Sequence, residues 1–358
     1  MEVIREFNHQ KAEAFAGKLI QILNDAALAL MTSIGHRTGL FDAMSQLPPS
    51  TSKEIADAAD LNERYVREWL GAVTVGGIVE CEPNGPRFSL PREHAGFLTR
   101  AAGADNISVF AQYVAMMGSA EDRIIKCFQK GGGVPYEEFT RFHEVMAEDS
   151  GQSVLSSLFS SILPLVPGLF EQLEKGITVL DVGCGQGHAL NLMAKRFPNS
   201  RFAGYDLSQE AISSAKMRAE KEGLGNLRFE QKDLTSFNIQ EQFHLVTAFD
   251  AIHDQARPDQ VLAGIARVLR PDGVFLMQDI AASSYVHKNF DQPIAPFLYA
   301  ISCMHCMTVS LAQGGMGLGA MWGEEKALEM LREAGFGRVE VKRLPHDFQN
   351  CYYVVRKY

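Results

Sequence analysis

Residues 179–188 read Val-Leu-Asp-Val-Gly-Cys-Gly-Gln-Gly-His: an apolar run becomes acidic and then has glycine at every second position. This pattern predicts a buried strand that ends in a tight turn, because glycine adopts backbone conformations that other residues avoid and lets a ligand approach the main chain. Alone, the turn is compatible with a dehydrogenase, a phosphate-binding protein or a methyltransferase. The rest of the chain has to distinguish among these classes.

From residue 177 onward, strand patterns alternate with helix patterns. This alternation predicts an α/β fold, in which helices cover both faces of a mostly parallel sheet. The last two strands are joined by a connection too short for a parallel crossover, so we expect the final strand to be antiparallel. The predicted strands are 177–181, 201–206, 227–233, 243–249, 274–279, 338–344 and 350–356, and the predicted helices are 189–196, 209–222, 258–269 and 324–334.

The N-terminal part of the chain has a different, mostly helical pattern. Apolar residues recur at helical spacing over residues 9–45, and residues 51–90 then indicate two helices followed by a hairpin. Thr51 and Glu54 form a capping-box pattern before the first of these helices. Helix, helix and hairpin in this order resemble a winged-helix module.

Composition excludes several broad classes. The chain has 358 residues, of which 46% are hydrophobic, and a net charge of −9, so no global basic field attracts nucleic acid or acidic membranes. The longest apolar runs fall short of the ~20 residues that a membrane-spanning helix needs. Six scattered cysteines are typical of reduced thiols, so we expect a cytoplasmic protein without membrane association.

An acidic residue stands at the end of each of the first five predicted strands of the sheet. Ligands of open α/β sheets bind beyond the carboxyl ends of the strands, so these side chains are expected to border one site. The five residues are Asp181, Asp206, Asp233, Asp250 and Asp279.

Over roughly residues 150–358, the chain resembles the class I S-adenosylmethionine-dependent methyltransferases. Asp206 matches the ribose-binding acid of that family, and residues 270–274 match the turn before its fifth strand. The glycine spacing differs from the G-x-G-x-x-G of dinucleotide sites, and no phosphate-loop lysine follows it. The residues that match the first motif of the family are Asp181, Gly183, Gly185 and Gly187.

The resemblance implies that S-adenosylmethionine is the cofactor. Asp206 would accept hydrogen bonds from the ribose hydroxyls, since a carboxylate suits two donors, and Asp233 with Leu234 would flank the adenine. The cationic sulfonium suits an acid-lined pocket. The residues implied in cofactor binding are Asp181, Gly183, Cys184, Gly185, Gly187, Asp206, Leu207, Asp233, Leu234, Phe249 and Asp250.

His253 and Asp254 follow the fourth strand and resemble the His-Asp pair of winged-helix O-methyltransferases. The resemblance implies that His253 is the general base that deprotonates the acceptor, with Asp279 or Asp254 orienting its ring. In that group an aromatic residue usually follows the pair, whereas Gln255 follows it here. Two alternatives stay open: the pair could cap the helix that begins near Pro258, and many methyltransferases need no base.

The insertion at residues 284–323 is rich in apolar residues and glycine. We interpret it as a lid over an acceptor pocket, which implies a small, partly apolar acceptor. The resemblance to the winged-helix O-methyltransferases favours methylation on oxygen over nitrogen or sulfur. Ordinary helical core or a dimer surface is the alternative. Candidate acceptor-binding residues are Tyr136, Phe142, His143, Phe297, His305 and Trp322.

The segment Cys303-Met-His305-Cys306 resembles part of a zinc motif. A structural zinc ion needs four ligands, and the sequence offers no second cysteine pair or paired histidines to complete the set. We therefore predict no metal.

The resemblance also implies a domain plan and a partner. We predict a winged-helix and dimerisation domain at 1–95, a helical linker and pocket cover at 96–170, and a methyltransferase domain at 171–358, in a homodimer. Residues 51–90 have four basic and seven acidic residues, a net charge of −3, which disfavours DNA binding. A transcription regulator that uses S-adenosylmethionine as a ligand and a non-catalytic partner subunit are the alternatives.

Overall fold

A computed structural model describes residues 7–236 and 239–358; the first six residues of the predicted N-terminal domain lie outside the described ranges. The chain divides into two compact units, Met1–Ala115 and Met116–Tyr358. The division falls inside the segment that the sequence assigned to the helical linker. The boundaries predicted at residues 95 and 170 remain predictions.

The first unit has the predicted winged-helix order. Two helices are followed by a short antiparallel hairpin in which Glu80 pairs with Ser89. The elements are α1 (His9–Thr38), α2 (Leu40–Met44), α3 (Ser52–Ala59), α4 (Glu63–Val75), β1 (Glu80–Cys81), β2 (Phe88–Ser89) and α5 (Arg92–Leu98), with 3-10 turns at Arg100–Asp105 and Ile107–Phe110. The helix α6 (Ala111–Lys130) contains the division between the units.

Local sequence determines where these helices begin and end. The Thr51 side chain accepts from the Glu54 main-chain N–H while the Glu54 carboxylate accepts from the Thr51 N–H, so the predicted capping box is confirmed. The predicted helix over 9–45 is interrupted at Gly39, whose φ of 73° is left-handed and ends α1.

The helix α1 exposes its apolar side chains. Its buried residues are confined to the C-terminal end, at Ser33, Gly35 and His36. Its largest exposed apolar residues are Phe15, Leu19, Ile20, Ile22, Leu23, Leu30 and Ile34.

By length and composition alone, two described helical stretches are apolar enough to cross a membrane. They are His9–Thr38, with a mean hydropathy of 1.3, and Ala295–Ala312, with 1.4. Core helices of soluble proteins and signal sequences pass the same test, so the expected lack of membrane association remains a prediction.

The second unit is built on a seven-stranded sheet. Its strands are β3 (Thr178–Val182), β4 (Arg201–Asp206), β5 (Leu227–Gln231), β6 (Phe243–Phe249), β7 (Leu269–Ile280), β8 (Arg338–Lys342) and β9 (Asn350–Arg356). They lie in the order β5-β4-β3-β6-β7-β9-β8. The strands β3 to β7 pair in parallel, whereas β9 is antiparallel to both β7 and β8, so the prediction for the final strand is confirmed.

Helices connect and cover these strands. Irregular turns are frequent before the sheet and in the insertion, with 3-10 turns at Tyr136–Glu138, Leu163–Leu165, Leu234–Ser236, Val286–Lys288 and Ala320–Trp322, and π-helical turns at Gly151–Leu155, Leu158–Ile162 and Ser302–Cys306. The α-helices are α7 (Phe142–Ser150), α8 (Leu169–Lys175), α9 (His188–Arg196), α10 (Gln209–Lys221), α11 (Pro258–Val268), α12 (Ala295–Ile301), α13 (Met307–Ala312) and α14 (Gly323–Glu333).

Buried apolar residues cover both faces of the sheet, which gives β3 its apolar run. Leu180 and Val182 belong to the core on one face, and Val179 to the core on the other. Because β3 pairs with both β4 and β6, the loops after these three strands are neighbours.

The structure differs from the sequence prediction at β7, which begins at Leu269 and includes the expected turn 270–273. Leu269 pairs with Phe243, and the register then shifts before Leu245 pairs with Val274. The turn residues are therefore an irregularity inside the strand.

Candidate functional site

A cavity of about 840 Å³ lies in the second unit, a volume typical of small-molecule sites. One side, which we call the sheet wall, consists of the loops after β3, β4, β5 and β6. The other side, the helical wall, consists of residues 135–155. Of the insertion, Ala312 and Gln313 line the cavity.

The glycine turn of the sheet wall is held by main-chain hydrogen bonds. The N–H groups of Gly183 and Cys184 both donate to the carbonyl oxygen of Tyr205, at 2.9 and 3.1 Å. Gly183 has a φ of 70°, and a Cβ there would lie 2.5 Å from the Cβ of Ala251. Gly185 has a φ of 51°, but a Cβ there would meet open space. The first glycine is thus required by packing and backbone conformation, and the second leaves room at the cavity.

Asp206 joins this turn to the next loop. Its Oδ2 accepts from the Gly185 N–H at 2.9 Å, and its Oδ1 accepts from the Ser208 N–H at 2.8 Å. An ionised carboxylate has about four lone-pair sites, so each oxygen keeps capacity for a further donor. This arrangement fits a carboxylate that binds two hydroxyl groups.

Two further carboxyl groups of the sheet wall are buried. Burial raises the pKa of Asp181 to about 7, although the hydrogen bond from Thr247 at 2.6 Å opposes this shift. Burial also raises the pKa of Asp250, against the effect of the charge of His253. Asp250 Oδ1 has no hydrogen-bond partner among the described residues. A bound cation would stabilise the ionised form of both groups.

The remaining predicted cofactor residues also border the cavity. They are Cys184, Leu207, Asp233, Leu234 and Phe249. Gly187 is the exception among the predicted glycines: it lies at the start of α9, where a Cβ would overlap the Phe229 ring at 2.3 Å. It serves the packing of the turn. The carboxylates, the open space at Gly185 and the Asp250 oxygen that accepts no hydrogen bond from the described residues together fit S-adenosylmethionine, a cation with two vicinal hydroxyls.

His253 lies behind the cavity and is buried among carboxylates. Its Nδ1 donates to Asp279 Oδ1 at 2.8 Å, and its Nε2 lies 3.2 Å from Asp254 Oδ1. His253 itself is not among the lining residues, whereas Asp254 is. Of the two candidates for orienting the ring, Asp279 therefore holds Nδ1, and Asp254 stands between Nε2 and the cavity.

Charge dominates the protonation of this group. Burial lowers the pKa of His253, but Asp279 and Asp254 outweigh it, so the pKa lies well above its usual value. Burial likewise raises the pKa of Asp254, but the charge of His253 and its hydrogen bond, together with smaller contributions from His305 and Cys306, outweigh burial and lower the pKa well below its usual range. Both shifts favour the charged forms of the two side chains, an imidazolium and a carboxylate.

The helical wall contains an aromatic cluster. Tyr136 lines the cavity and donates its hydroxyl hydrogen to Asp254 Oδ2 at 3.0 Å. The Tyr136 ring also stacks on His143, with centroids 6.2 Å apart. Phe142 and His143 line the cavity as well, and His143 Nε2 is 3.4 Å from the hydroxyl of Ser208. Three of the predicted acceptor residues thus face the cavity together.

The other three predicted acceptor residues do not line the cavity. His305 is buried and stacks on Phe142 with centroids 3.8 Å apart, and burial lowers its pKa to about 4. Trp322 is buried and donates to Asp279 Oδ1 at 2.9 Å. Phe297 lies in α12. His305 and Trp322 therefore support residues at the cavity from behind.

Three features of the site have no clear sign in the sequence. Asp250 has a left-handed φ of 54°, an unusual conformation for a residue other than glycine. Ser208 caps α10 and faces His143. Cys306 brings its thiol to His253 and Asp254. The position of Asp250 directly after a strand identified it as a site residue. Neither the backbone conformation of Asp250 nor the contact of Cys306 with His253 and Asp254 follows a local sequence pattern.

Two family models match separate parts of the chain. A Rv2258c-like winged HTH domain matches residues 26–100, and a methyltransferase domain matches residues 173–335. These matches agree with the order of the two folds described above.

Among curated proteins, the fatty-acid O-methyltransferase of Mycolicibacterium smegmatis is 33% identical over 105 residues, which cover 29% of this chain and 38% of that protein. A trans-aconitate 2-methyltransferase of Variovorax paradoxus is 32% identical over 30% of this chain and 39% of its own length. This chain thus spans about two fifths of the length of these relatives.

Solved structures match over the whole chain. Human N-acetylserotonin methyltransferase in complex with SAM has a TM-score of 0.66 at 14% identity and covers 99% of both chains. Mitomycin 7-O-methyltransferase has a TM-score of 0.70 at 17% identity, covering 97% of this chain and 99% of its own. At such low identity, the likeness shows a shared fold.

Proposed function

We propose that this chain, which matches a winged HTH domain over residues 26–100 and a methyltransferase domain over residues 173–335, is a class I S-adenosylmethionine-dependent methyltransferase that methylates a hydroxyl group of a small, partly apolar molecule. One observation carries the proposal: acids from successive strand ends line one cavity together with Asp254, the carboxylate that contacts Nε2 of His253. The relatives that transfer methyl groups to oxygen support the choice of acceptor atom.

In this proposal the sheet wall holds the cofactor, which supplies an electrophilic methyl group when bound. Asp206 binds the ribose hydroxyls, and Asp233 with Leu234 flanks the adenine. Asp181 and Asp250 provide negative charge beside the sulfonium, which favours their ionised forms.

His253 acts as the general base in this proposal, with Asp279 fixing its tautomer. The hydrogen bond from Nδ1 to Asp279 leaves Nε2 as the proton acceptor. Asp254 has to turn aside or relay the proton, because it stands between Nε2 and the cavity. Only the neutral imidazole can accept a proton, so the raised pKa of His253 makes base catalysis increase with pH.

The helical wall receives the acceptor. Tyr136, Phe142 and His143 offer aromatic surface with two polar tips, which suits a flat or partly apolar molecule that carries a hydroxyl group. The supporting contacts of His305 and Trp322 keep these groups and Asp279 in place.

The test is an assay for S-adenosylhomocysteine release across a panel of small hydroxyl compounds. We expect turnover with at least one compound, loss of cofactor binding in Asp206→Ala, and lower turnover with unchanged cofactor binding in His253→Ala. His287→Ala, which changes an exposed histidine of the same unit, is the matched control. Retained binding in Asp206→Ala would reject the pocket assignment, and full turnover in His253→Ala would reject the base.

We also propose that α1 mediates homodimerisation, because its exposed apolar side chains form a surface that a second copy could cover. Sedimentation should give a dimer for the wild type and a monomer for a Leu19→Glu/Leu23→Glu variant. A monomeric wild type would reject this assignment.

The regulator alternative is tested separately, since a winged HTH family model matches residues 26–100. A gel shift with genomic DNA at low salt should show no binding, because residues 51–90 are net negative. Salt-dependent binding would favour the regulator.

A further inference from the structure

Cys306, from the insertion, meets two residues that follow β6. One donor atom each from His253, Asp254 and Cys306 can be chosen so that all three lie within 4.8 Å of one another. His253 and Cys306 are buried, and the Asp254 side chain is 14% exposed. The incomplete motif around Cys303 therefore acquires two further donors that are about fifty residues away in the chain.

The spacing of His253 and Asp254 suits a tetrahedral metal ion, and the Cys306 thiol lies within 4.8 Å of both side chains. Nε2 of His253 and Oδ1 of Asp254 are 3.2 Å apart. Ligand bonds of about 2.0–2.3 Å at tetrahedral angles place two donor atoms roughly 3.3–3.6 Å apart. Asp254 Oδ1 makes no hydrogen bond of good geometry to any residue that the structure describes, and its ion pair with His253 Nε2 is the contact that a bound ion would replace.

The surroundings of His253 also suit a metal ligand. Metal-bound histidines generally donate their other ring N–H to a carboxylate, which fixes the tautomer and orients the ring. Nδ1 makes this bond to Asp279, and Asp279 is held in turn by the Trp322 indole. The cavity beside Asp254 gives an ion a route of entry.

The donor set selects the ion. One imidazole nitrogen, one carboxylate oxygen and one thiolate sulfur are a mixed set typical of zinc, whereas magnesium and calcium prefer oxygen ligands alone. Three protein ligands leave a fourth position for water or another ligand.

We propose that His253, Asp254 and Cys306 bind one zinc ion, and that the bound ion switches off methyl transfer. The inhibition of methyl transfer by zinc rests on the proposed function. An ion bound to Nε2 occupies the lone pair that His253 needs in order to act as a base. Zinc and the acceptor proton therefore exclude each other.

The experiment is a zinc titration of the chelator-treated, full-length protein against a chromophoric chelator, without cofactor or acceptor. We expect one tightly bound ion per chain. Cys306→Ser and Asp254→Asn should each weaken binding by at least about 100-fold, more than the roughly 10–100-fold expected for Asp279→Asn, which removes only the orienting carboxylate.

Cys303→Ser is the matched control, because Cys303 lies in the same π-helical turn but outside the donor cluster. It should bind zinc as the wild type does. Cobalt provides a second readout: a thiolate-to-cobalt absorption band should form in the wild type and in Cys303→Ser, and be absent in Cys306→Ser. Circular dichroism of each metal-free variant checks that it is folded. If Cys306→Ser does not fold, Asp254→Asn is the variant that tests the zinc site.

The outcomes separate the site from its effect. The zinc site is overturned if the wild type does not bind zinc stoichiometrically. It is also overturned if Cys306→Ser and Asp254→Asn bind zinc as tightly as the wild type does. If zinc binds but leaves wild-type turnover unchanged, the switch is overturned. If the protein binds zinc but transfers no methyl group, the zinc site is retained and the proposed function is rejected. If it transfers methyl groups but does not bind zinc, the proposed function is retained and the zinc site is rejected.

Discussion

The sheet wall of the cavity is held by main-chain hydrogen bonds, whereas the helical wall is held by contacts between aromatic side chains. In the sheet wall, Gly183 and Cys184 donate to Tyr205, and Gly185 donates to Asp206. In the helical wall, the Phe142 ring stacks on His305, and Tyr136 reaches Asp254. A wall held by its backbone keeps one shape for one cofactor, while a wall held by side chains can change its specificity with few substitutions.

The largest expected effect is on turnover, in Asp279→Asn. This change removes the charge that holds Nδ1 of His253, so we expect turnover to fall by about 10²–10⁴-fold, with cofactor affinity nearly unchanged. Loss of the negative charge also lowers the pKa of His253, so the rising limb of the pH–rate profile should move to lower pH. A fall in turnover without this shift would assign Asp279 a packing role only.

The next effect distinguishes backbone strain from steric overlap in the sheet wall. Gly183→Ala combines a left-handed φ with a Cβ overlap, whereas Gly185→Ala has the φ alone. Strain costs about 1–2 kcal/mol, so Gly185→Ala should lose about that much free energy of unfolding, and Gly183→Ala should lose more. Chemical denaturation measures both, and equal losses would contradict the tight packing of Gly183 against Ala251.

Cofactor affinity should depend on pH through the buried acids of the sheet wall. The pKa of Asp181 is raised to about 7, and a cation favours the ionised carboxylate, so S-adenosylmethionine should bind more tightly as pH rises through 7. Below that pKa, affinity should change by up to about tenfold per pH unit. S-adenosylhomocysteine, whose sulfur is uncharged, is the control, and an equally steep dependence for it would contradict the assignment.

An effect on the acceptor alone is expected in the helical wall. Tyr136→Phe removes one hydrogen bond to an ionised carboxylate, worth about 1.5–3 kcal/mol, and keeps the aromatic surface. We expect kcat/KM for the acceptor to fall by about 10–100-fold, with cofactor affinity within about twofold of the wild type. Calorimetry and steady-state kinetics measure the two quantities. A large loss of cofactor affinity would mean that the two walls do not work separately.

The same contrast explains what the sequence could predict. Gly183, Asp206 and the order of strands follow from local patterns, because each residue is positioned by the strand or turn that contains it. The antiparallel final strand followed from the length of one connection. The conformation of Asp250 and the break at Gly39 were not predicted, because each is a single left-handed residue and the periodicity of apolar residues does not mark such a residue.

The contacts made by the insertion could not be predicted from the sequence for another reason. His305 was expected at the acceptor and instead stacks behind Phe142, and Cys306 meets His253 rather than a second cysteine. Such contacts join segments about fifty or more residues apart through irregular π-helical turns, which have no simple periodicity.

The chain has two tryptophans, and each unit contains one of them. Trp69 is buried in the core of the first unit, where its indole donates to the carbonyl of Met31. Trp322 donates to Asp279, the carboxylate that also holds His253. Replacing Trp69 with phenylalanine therefore leaves Trp322 as the single tryptophan, and we expect its selectively excited emission to change with the ionisation of the buried histidine.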